Sequence, residues 1–295
     1  MTPVLATTPF FNLSPAHANG TKAEKKPEAR LRVSLNAYSF NEPLRSGKMT
    51  LDDLLVFCAS NNFDAVDLTG YYFPGYPAVP ENDYVFHIKQ RAFKLGLDIS
   101  GTGIKNDFTV TDVNKRKEDI TLVKKWIEVA ARLGAPVIRI FSGLNIPAGY
   151  SWEEVAEWVA KDIRDCVAYG KEHGVMVAMQ NHDDFIKTGD QAEKIISMVD
   201  SEWFGLVLDI GSYRTGDPYA QIAQTAKYAF NWQLKELMFL NGSEQKTDLQ
   251  KVIGMIKKSA YRGYLPIETL GPGDPQQKVP LFLAEVRNAL NNLEA

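Results

Sequence analysis

The chain has 295 residues, with 33 Lys plus Arg against 36 Asp plus Glu for a formal charge of −3, and its composition is 45% hydrophobic and 23% charged. That is ordinary globular composition, long enough to bury one large core. The charge balance argues against a protein built around nucleic acid, no uncharged apolar stretch reaches the roughly 18 residues of a membrane span, and two cysteines rule out a disulfide scaffold.

Residues 2–18 are modestly apolar and end in Ala16-His17-Ala18, a small-x-small pattern like a signal-peptidase site, but they lack a positively charged start. The stretch that follows, through Arg30, is polar and Lys-rich and reads as a linker. Two readings stand: a disordered tail, or the remnant of an export signal. The first goes with a cytoplasmic protein and the second with a periplasmic or exported one. Residues 1–30 are set apart from the fold, which is expected over 31–295.

From Leu31 onward, short apolar and β-branched runs alternate with helical spacing. The runs fall at 31–38 (LRVSLNAY), 64–69 (DAVDLT), 97–103 (LDISGTG), 136–142 (PVIRIFS), 175–180 (VMVAMQ), 204–209 (FGLVLD), 232–236 (WQLKE) and 264–269 (YLPIET). Between them, Trp152, Val155, Val159, Ile163 and Val167 recur at three or four residues, one stripe of a helix. Thr50 with Asp53, and Ser151 with Glu154, are capping boxes, and Asp217-Pro218 is an N-cap followed by proline at the first helical position. Gly96, Gly134, Gly170 and Gly174 stand near helix ends, where a left-handed cap is commonly needed.

Eight strand–helix units in about 265 residues predict a single-domain α/β fold, a (β/α)8 TIM barrel. A doubly wound sheet is the competitor. The first strand–helix turn, residues 36–41, has no glycine-rich phosphate fingerprint, so the barrel is preferred and no nucleotide cofactor is expected.

Barrel enzymes carry their chemistry at the C-terminal ends of strands. Those ends supply Asp67; Arg139 with Ser142-Gly143; Gln180 to Asp184; Asp209; Gln233 to Glu236; and Glu268. Asp67, Asp183 and Glu236 read equally well as solvated loop-edge charges. Asp209 and Glu268 each close an apolar strand, where an unpaired carboxylate is costly to desolvate, and so they read as functional.

From residue 31 onward the chain resembles the xylose-isomerase-like TIM barrels, the sugar phosphate isomerase/epimerase superfamily. The resemblance rests on DAVDLTG, VMVAMQNHDD, VLDIGSY, WQLKE and PIETLG, in that order. It implies a divalent metal held by Glu at the end of the fifth strand, Asp at the sixth, His at the seventh and Glu at the eighth. The matching positions here are Gln180, Asp209, Gln233 and Glu268, so two of the four depart from the pattern. Glutamine offers a neutral amide oxygen, and an oxygen-only set favours Mg²⁺, Mn²⁺ or Ca²⁺ over Zn²⁺. A site that has lost its metal is the alternative. The superfamily's endonuclease branch uses a histidine-rich set, and only His87, His173 and His182 fall in the barrel region here.

The resemblance also implies proton transfer beside a sugar carbonyl through an enediolate. Gln180 has no useful basicity near pH 7, which leaves Glu268 as the base. His182, two residues beyond Gln180, is the second candidate if the strand continues, and a hydrogen-bonding support otherwise. Lys235 holds a substrate oxygen, or pairs with Asp209 or Glu268. Tyr71 and Tyr72, in the loop GYYFPGYP, either stack on a sugar ring or pack on their own barrel. Arg139 and Asp67 complete the expected substrate contacts. Three functions stay open: a sugar isomerase or epimerase, a lyase cleaving keto-glycosides by elimination, and a sugar-binding barrel without catalysis. The expected partner is a small-molecule carbohydrate, with no nucleic acid and no membrane span; a homo-oligomer is compatible with this composition.

Overall fold

A computed structural model describes residues 30–292. The expected tail or signal remnant before Arg30 lies outside the described residues. Eight parallel strands close into a barrel, with helices between them: the (β/α)8 TIM barrel that the alternation predicts. The barrel strands are β1 (Arg32–Asn36), β2 (Ala65–Thr69), β3 (Asp98–Gly103), β4 (Val137–Ile140), β5 (Met176–Gln180), β6 (Phe204–Asp209), β7 (Ala229–Lys235) and β10 (Tyr264–Glu268). Two further strands, β8 (Leu237–Leu240) and β9 (Ser243–Lys246), form an antiparallel hairpin outside the barrel.

The helices are α1 (Asn41–Arg45), α2 (Leu51–Ser60), α3 (Asn82–Lys94), α4 (Val113–Leu133), α5 (Trp152–Glu172), α6 (Gly189–Val199), α7 (Pro218–Thr225), α8 (Leu249–Lys258) and α9 (Pro275–Asn292). Both capping boxes form, with Thr50 and Ser151 each accepting from the amide three residues on. Asp217 caps α7 with Pro218 at its first position. Gly134 closes α4 in the left-handed region at φ 80°. Gly170 does something else. It sits inside the last turn of α5, where an added Cβ would lie 2.6 Å from the Val175 carbonyl oxygen, so its smallness lets the helix pack against the chain entering β5.

Outward-facing strand residues such as Leu35, Val66, Leu68, Ile138 and Leu208 join the inner faces of the helices in one continuous core. The inside of the barrel is different. A small apolar floor of Val137, Ala178 and Val207 supports a polar interior. In it Ser34 Oγ meets Ser100 Oγ at 2.6 Å, and Asn231 Nδ2 donates to Asp67 Oδ2 at 3.4 Å. Among the described residues, no helix is long and apolar enough to cross a membrane.

Candidate active site

Strand register places the site. In parallel neighbours, paired residues point to the same side of the sheet. Glu268 pairs with Lys235 across β10 and β7, and Asp209 pairs with Gln233 across β7 and β6. Gln180 pairs with Val207, so Asp209 stands one pleat nearer the mouth than Gln180. All five side chains turn inward, and the barrel's closure brings them together.

The centre of the group is the Lys235 ammonium, 2.9 Å from Asp209 Oδ2 and 3.1 Å from Glu268 Oε2. Asp209 is fully buried and Glu268 is 4% exposed. Burial works against the lysine's charge, but the two carboxylates outweigh it and hold Lys235 above its ordinary value. Asp209 is saturated. Its Oδ2 also accepts from Gln180 Nε2 at 2.9 Å and Ser212 Oγ at 2.8 Å, and its Oδ1 accepts from the Gly211 amide at 2.9 Å. Glu268, by contrast, takes one such contact among the described residues, that with Lys235. A carboxylate carries about four acceptor positions, so Glu268 keeps open acceptor positions and Asp209 does not.

Asn181, Gly211 and Ser212, none of which was given a role from its place at a strand end, support this group. Asn181 accepts from the Asp209 amide and donates to the Asp209 carbonyl, both at 2.9 Å, and so pins the end of β6. Gly211 makes room for the lysine, since an added Cβ would lie 2.7 Å from Lys235 Cδ. Gly211→Ala is therefore expected to push the Lys235 stem aside and lower kcat at least tenfold while keeping the fold. Kinetics set beside a thermal melt check this, and unchanged kinetics would contradict the close packing.

Asp67 is not at a strand end. It lies two residues inside β2, 8% exposed, facing the barrel interior. Gly101 across the sheet gives it space, an added Cβ there falling 2.6 Å from Asp67 Oδ2. Burial pushes the Asp67 carboxyl up from 3.8 to about 6, Arg139 opposing and Glu268 adding to the rise. A raised acid favours the folded state below its unfolded value, and that benefit is lost as pH climbs through about 6. The rise corresponds to on the order of 3 kcal/mol against the ionised form in the fold. Asp67→Asn is thus expected to raise the melting temperature at pH 8, with the gain shrinking toward pH 4. An equal effect at both pH values would refute this linkage.

Arg139 crosses the barrel wall beside Gly103, donating to Tyr71 Oη at 3.2 Å and to the Ile104 carbonyl, with its guanidinium 4.3 Å from the Phe141 ring centroid. In the aromatic loop, Phe73 and Tyr76 pack against Trp126. Tyr71 and Tyr72 are half-buried at the rim, edge to face with each other, and Tyr38 stands edge-on to Tyr71. Burial, then Tyr38 and Glu268, push the Tyr72 phenol up. β5 ends at Gln180, so His182 falls past the strand; it is exposed, meets Asp184 Oδ2 at 3.1 Å and lies edge-on to Phe141.

Above Lys235 and Glu268 opens a cleft of about 430 Å³, lined also by Gly211, Arg214, Phe239, Leu270 and Lys278. The β8–β9 hairpin forms one wall, with Met238 and Phe239 among the lining residues. Arg214 pairs with Asp183 at 3.4 Å and Lys278 with Glu236 at 3.4 Å, so those rim acids are partnered rather than free in solvent.

The four positions matched to a metal site do not fit a divalent cation as they are arranged. The two carboxylate oxygens that would face the ion both face an ammonium. A carboxylate only accepts, so Gln180 must present its amide nitrogen, not its oxygen, to Asp209. The same nitrogen is 3.3 Å from Gln233 Oε1. Among the described residues, no group of three or more His, Cys, Asp or Glu side chains is placed to hold a metal.

The family model described as xylose isomerase-like TIM barrel matches residues 55–286, and the chain belongs to that family. Solved structures share the fold at low identity. D-psicose 3-epimerase from Clostridium cellulolyticum H10, bound to D-tagatose, superposes with a TM-score of 0.73 at 12% identity, covering 88% of this chain and 99% of that one. An L-ribulose 3-epimerase gives 0.72 at 15%, covering 90% and 97%. The 3-keto-D-glucoside 4-epimerase of E. coli gives 0.70 at 13%, covering 88% and 100%. No curated protein sequence matches the chain.

Proposed function

We propose that the protein is a sugar isomerase/epimerase-like enzyme in which Glu268 abstracts a proton beside a sugar carbonyl. The observation that carries this is Glu268 itself: buried, lining the cleft, and paired with an ammonium while keeping acceptor capacity. The C–H bond next to the carbonyl breaks, its proton passes to Glu268, and its electron pair moves toward the carbonyl oxygen. Lys235 has a third N–H beyond its two carboxylate partners with which to meet that oxygen as it gains charge. Asp209 fixes the lysine and takes no proton. Tyr71 and Tyr72 at the rim present apolar ring faces to the C–H face of a sugar.

One base on one face suits return of the proton to the neighbouring carbon, as in an aldose–ketose exchange, while the α-hydroxyl proton passes to the former carbonyl oxygen. Epimerisation needs a second group on the other face, for which His182 and Asp67 are the candidates. The Gln180 amide cannot serve, and this favours a second reading that shares the first step. In elimination from a keto-glycoside, the enolate pair forms a C=C bond as the adjacent C–O bond breaks and the leaving oxygen takes a proton. Incubating the protein with ketoses and keto-glycosides in D2O separates the two. Isomerisation or epimerisation returns a sugar deuterated beside the carbonyl; elimination releases the aglycone and leaves an unsaturated keto-sugar. A protein that binds these compounds but turns over neither class would be a sugar-binding barrel, and the proposal would fail.

A neutral sugar is expected over its phosphate ester. Pro272 and Pro275 remove two backbone donors from the loop after β10, Asp274 adds a negative charge there, and Arg214 and Lys278 are committed to Asp183 and Glu236. At matched ionic strength, kcat/KM should be higher for the free sugar. A tenfold preference for the phosphate, about 1.4 kcal/mol, would contradict this.

A further inference from the structure

A divalent ion and a lysine cannot share one pair of carboxylate oxygens, and in this barrel the lysine holds them. Lys235 Nζ bridges Asp209 Oδ2 and Glu268 Oε2 at 2.9 and 3.1 Å, on the barrel axis side of both strands and at the base of the cleft. The other two inward positions of the ring carry amides, and Gln180 spends its N–H groups on Asp209 and Gln233. Two carboxylates and one ammonium leave the ring at −1, with neutral groups where further anionic or imidazole ligands would be needed to offset a second cation. Gly211, without a side chain, and Asp209, saturated by four donors, hold the ammonium there. We propose that Lys235 is the resident cation of this site, standing in place of a divalent metal, and that the protein works without one.

This rests on the proposed proton abstraction for its catalytic meaning, and it narrows the substrate. A divalent ion grips two adjacent sugar oxygens at once and polarises them as a Lewis acid. An ammonium is a point charge with one N–H left to give, so it meets one oxygen. The substrate is then recognised through a single carbonyl oxygen, with its other hydroxyls read by the rim. A keto-sugar or keto-glycoside offers that carbonyl oxygen, and its adjacent hydroxyls need not chelate a metal.

The test needs no substrate, so its failure is separate from failure of the enzymatic reading. Mn²⁺ is titrated by electron paramagnetic resonance and calorimetry into the full chain, into Gln180→Glu/Gln233→His, and into the same double variant carrying Lys235→Met. The wild-type chain is expected to show no saturable binding at 1 mM Mn²⁺ and no shift in melting temperature. The triple variant is expected to bind one Mn²⁺ at least 100-fold more tightly than the double variant, because only there are both carboxylates released. Stoichiometric binding to the wild-type chain with a Kd below about 100 μM would overturn the proposal, and this arm stands even if a variant does not fold. Equal binding by the double and triple variants would overturn it too, since the ammonium would then not occupy the cation's place.

Discussion

Replacing Glu268 by Gln is expected to lower kcat by about 10²–10⁴-fold, the range that a positioned general base supplies. The amide is nearly isosteric, and its oxygen can still accept from Lys235, so geometry and substrate binding should survive while proton acceptance is lost. Lys235 also keeps Asp209, so no buried charge is stranded. KM should therefore change by less than a few-fold, and the melting temperature by only a few degrees. Steady-state kinetics beside a calorimetric melt decide this. A loss under tenfold would remove Glu268 from the role of base, whereas a large loss with a collapsed melt would make it structural.

Asp209→Ala should act in the opposite way, with its main effect on stability. Four donors converge on that carboxylate: Lys235 Nζ, Gln180 Nε2, Ser212 Oγ and the Gly211 amide. Truncation leaves them around a buried void with an ammonium only partly compensated by Glu268. Breaking one partner of a buried ion pair typically costs about 3–5 kcal/mol. For a domain of this size that is on the order of 10 °C in melting temperature. Asp209→Asn should recover only part of the loss, because its amide nitrogen turns a donor toward donors. Turnover should fall in both, through a displaced Lys235. A melting temperature within 2 °C of wild type in Asp209→Ala would contradict the account of Asp209 as the anchor.

Much of the barrel was legible because its outward strand faces are uniformly apolar and its helices are amphipathic and capped. FGLVLD coincides with β6, and both capping boxes lie where Thr50 and Ser151 put them. Strand β7 was read as starting three residues late, at Trp232, and ending one residue late, at Glu236. Its first half carries Asn231, an inward polar residue that bonds Asp67, and a polar residue in a short strand resembles a loop when only periodicity is used. The β8–β9 hairpin was also missed, though Asn241-Gly242, at φ 53° and 81°, is a strong turn signal between two short runs. Its four exposed β9 residues, SEQK, lack the alternation that marks a half-buried strand.

At the site, Asp209, Glu268 and Lys235 were visible as strand-end groups, and pairing of the lysine with one or other acid was weighed. Bridging of both at once depends on barrel closure and register, which bring residues 26 and 33 positions from Lys235 onto one ammonium. Asp67 was placed among the strand ends and weighed as a rim charge although its run was read through Thr69; it lies two residues inside β2, facing the interior. Gly101 and Gly211 gave no signal of their own. Their part is to leave space for a side chain from another strand, which a one-dimensional pattern does not contain.

The most direct measurement is loss of the proton beside the carbonyl of a keto-sugar in D2O, followed by proton NMR with wild-type protein and Glu268→Gln side by side. The wild-type protein should wash out that one resonance, with or without EDTA, and Glu268→Gln should leave it at the uncatalysed rate. Exchange persisting in Glu268→Gln, or no exchange by the wild-type protein with any ketose or keto-glycoside it binds, would contradict proton abstraction by Glu268.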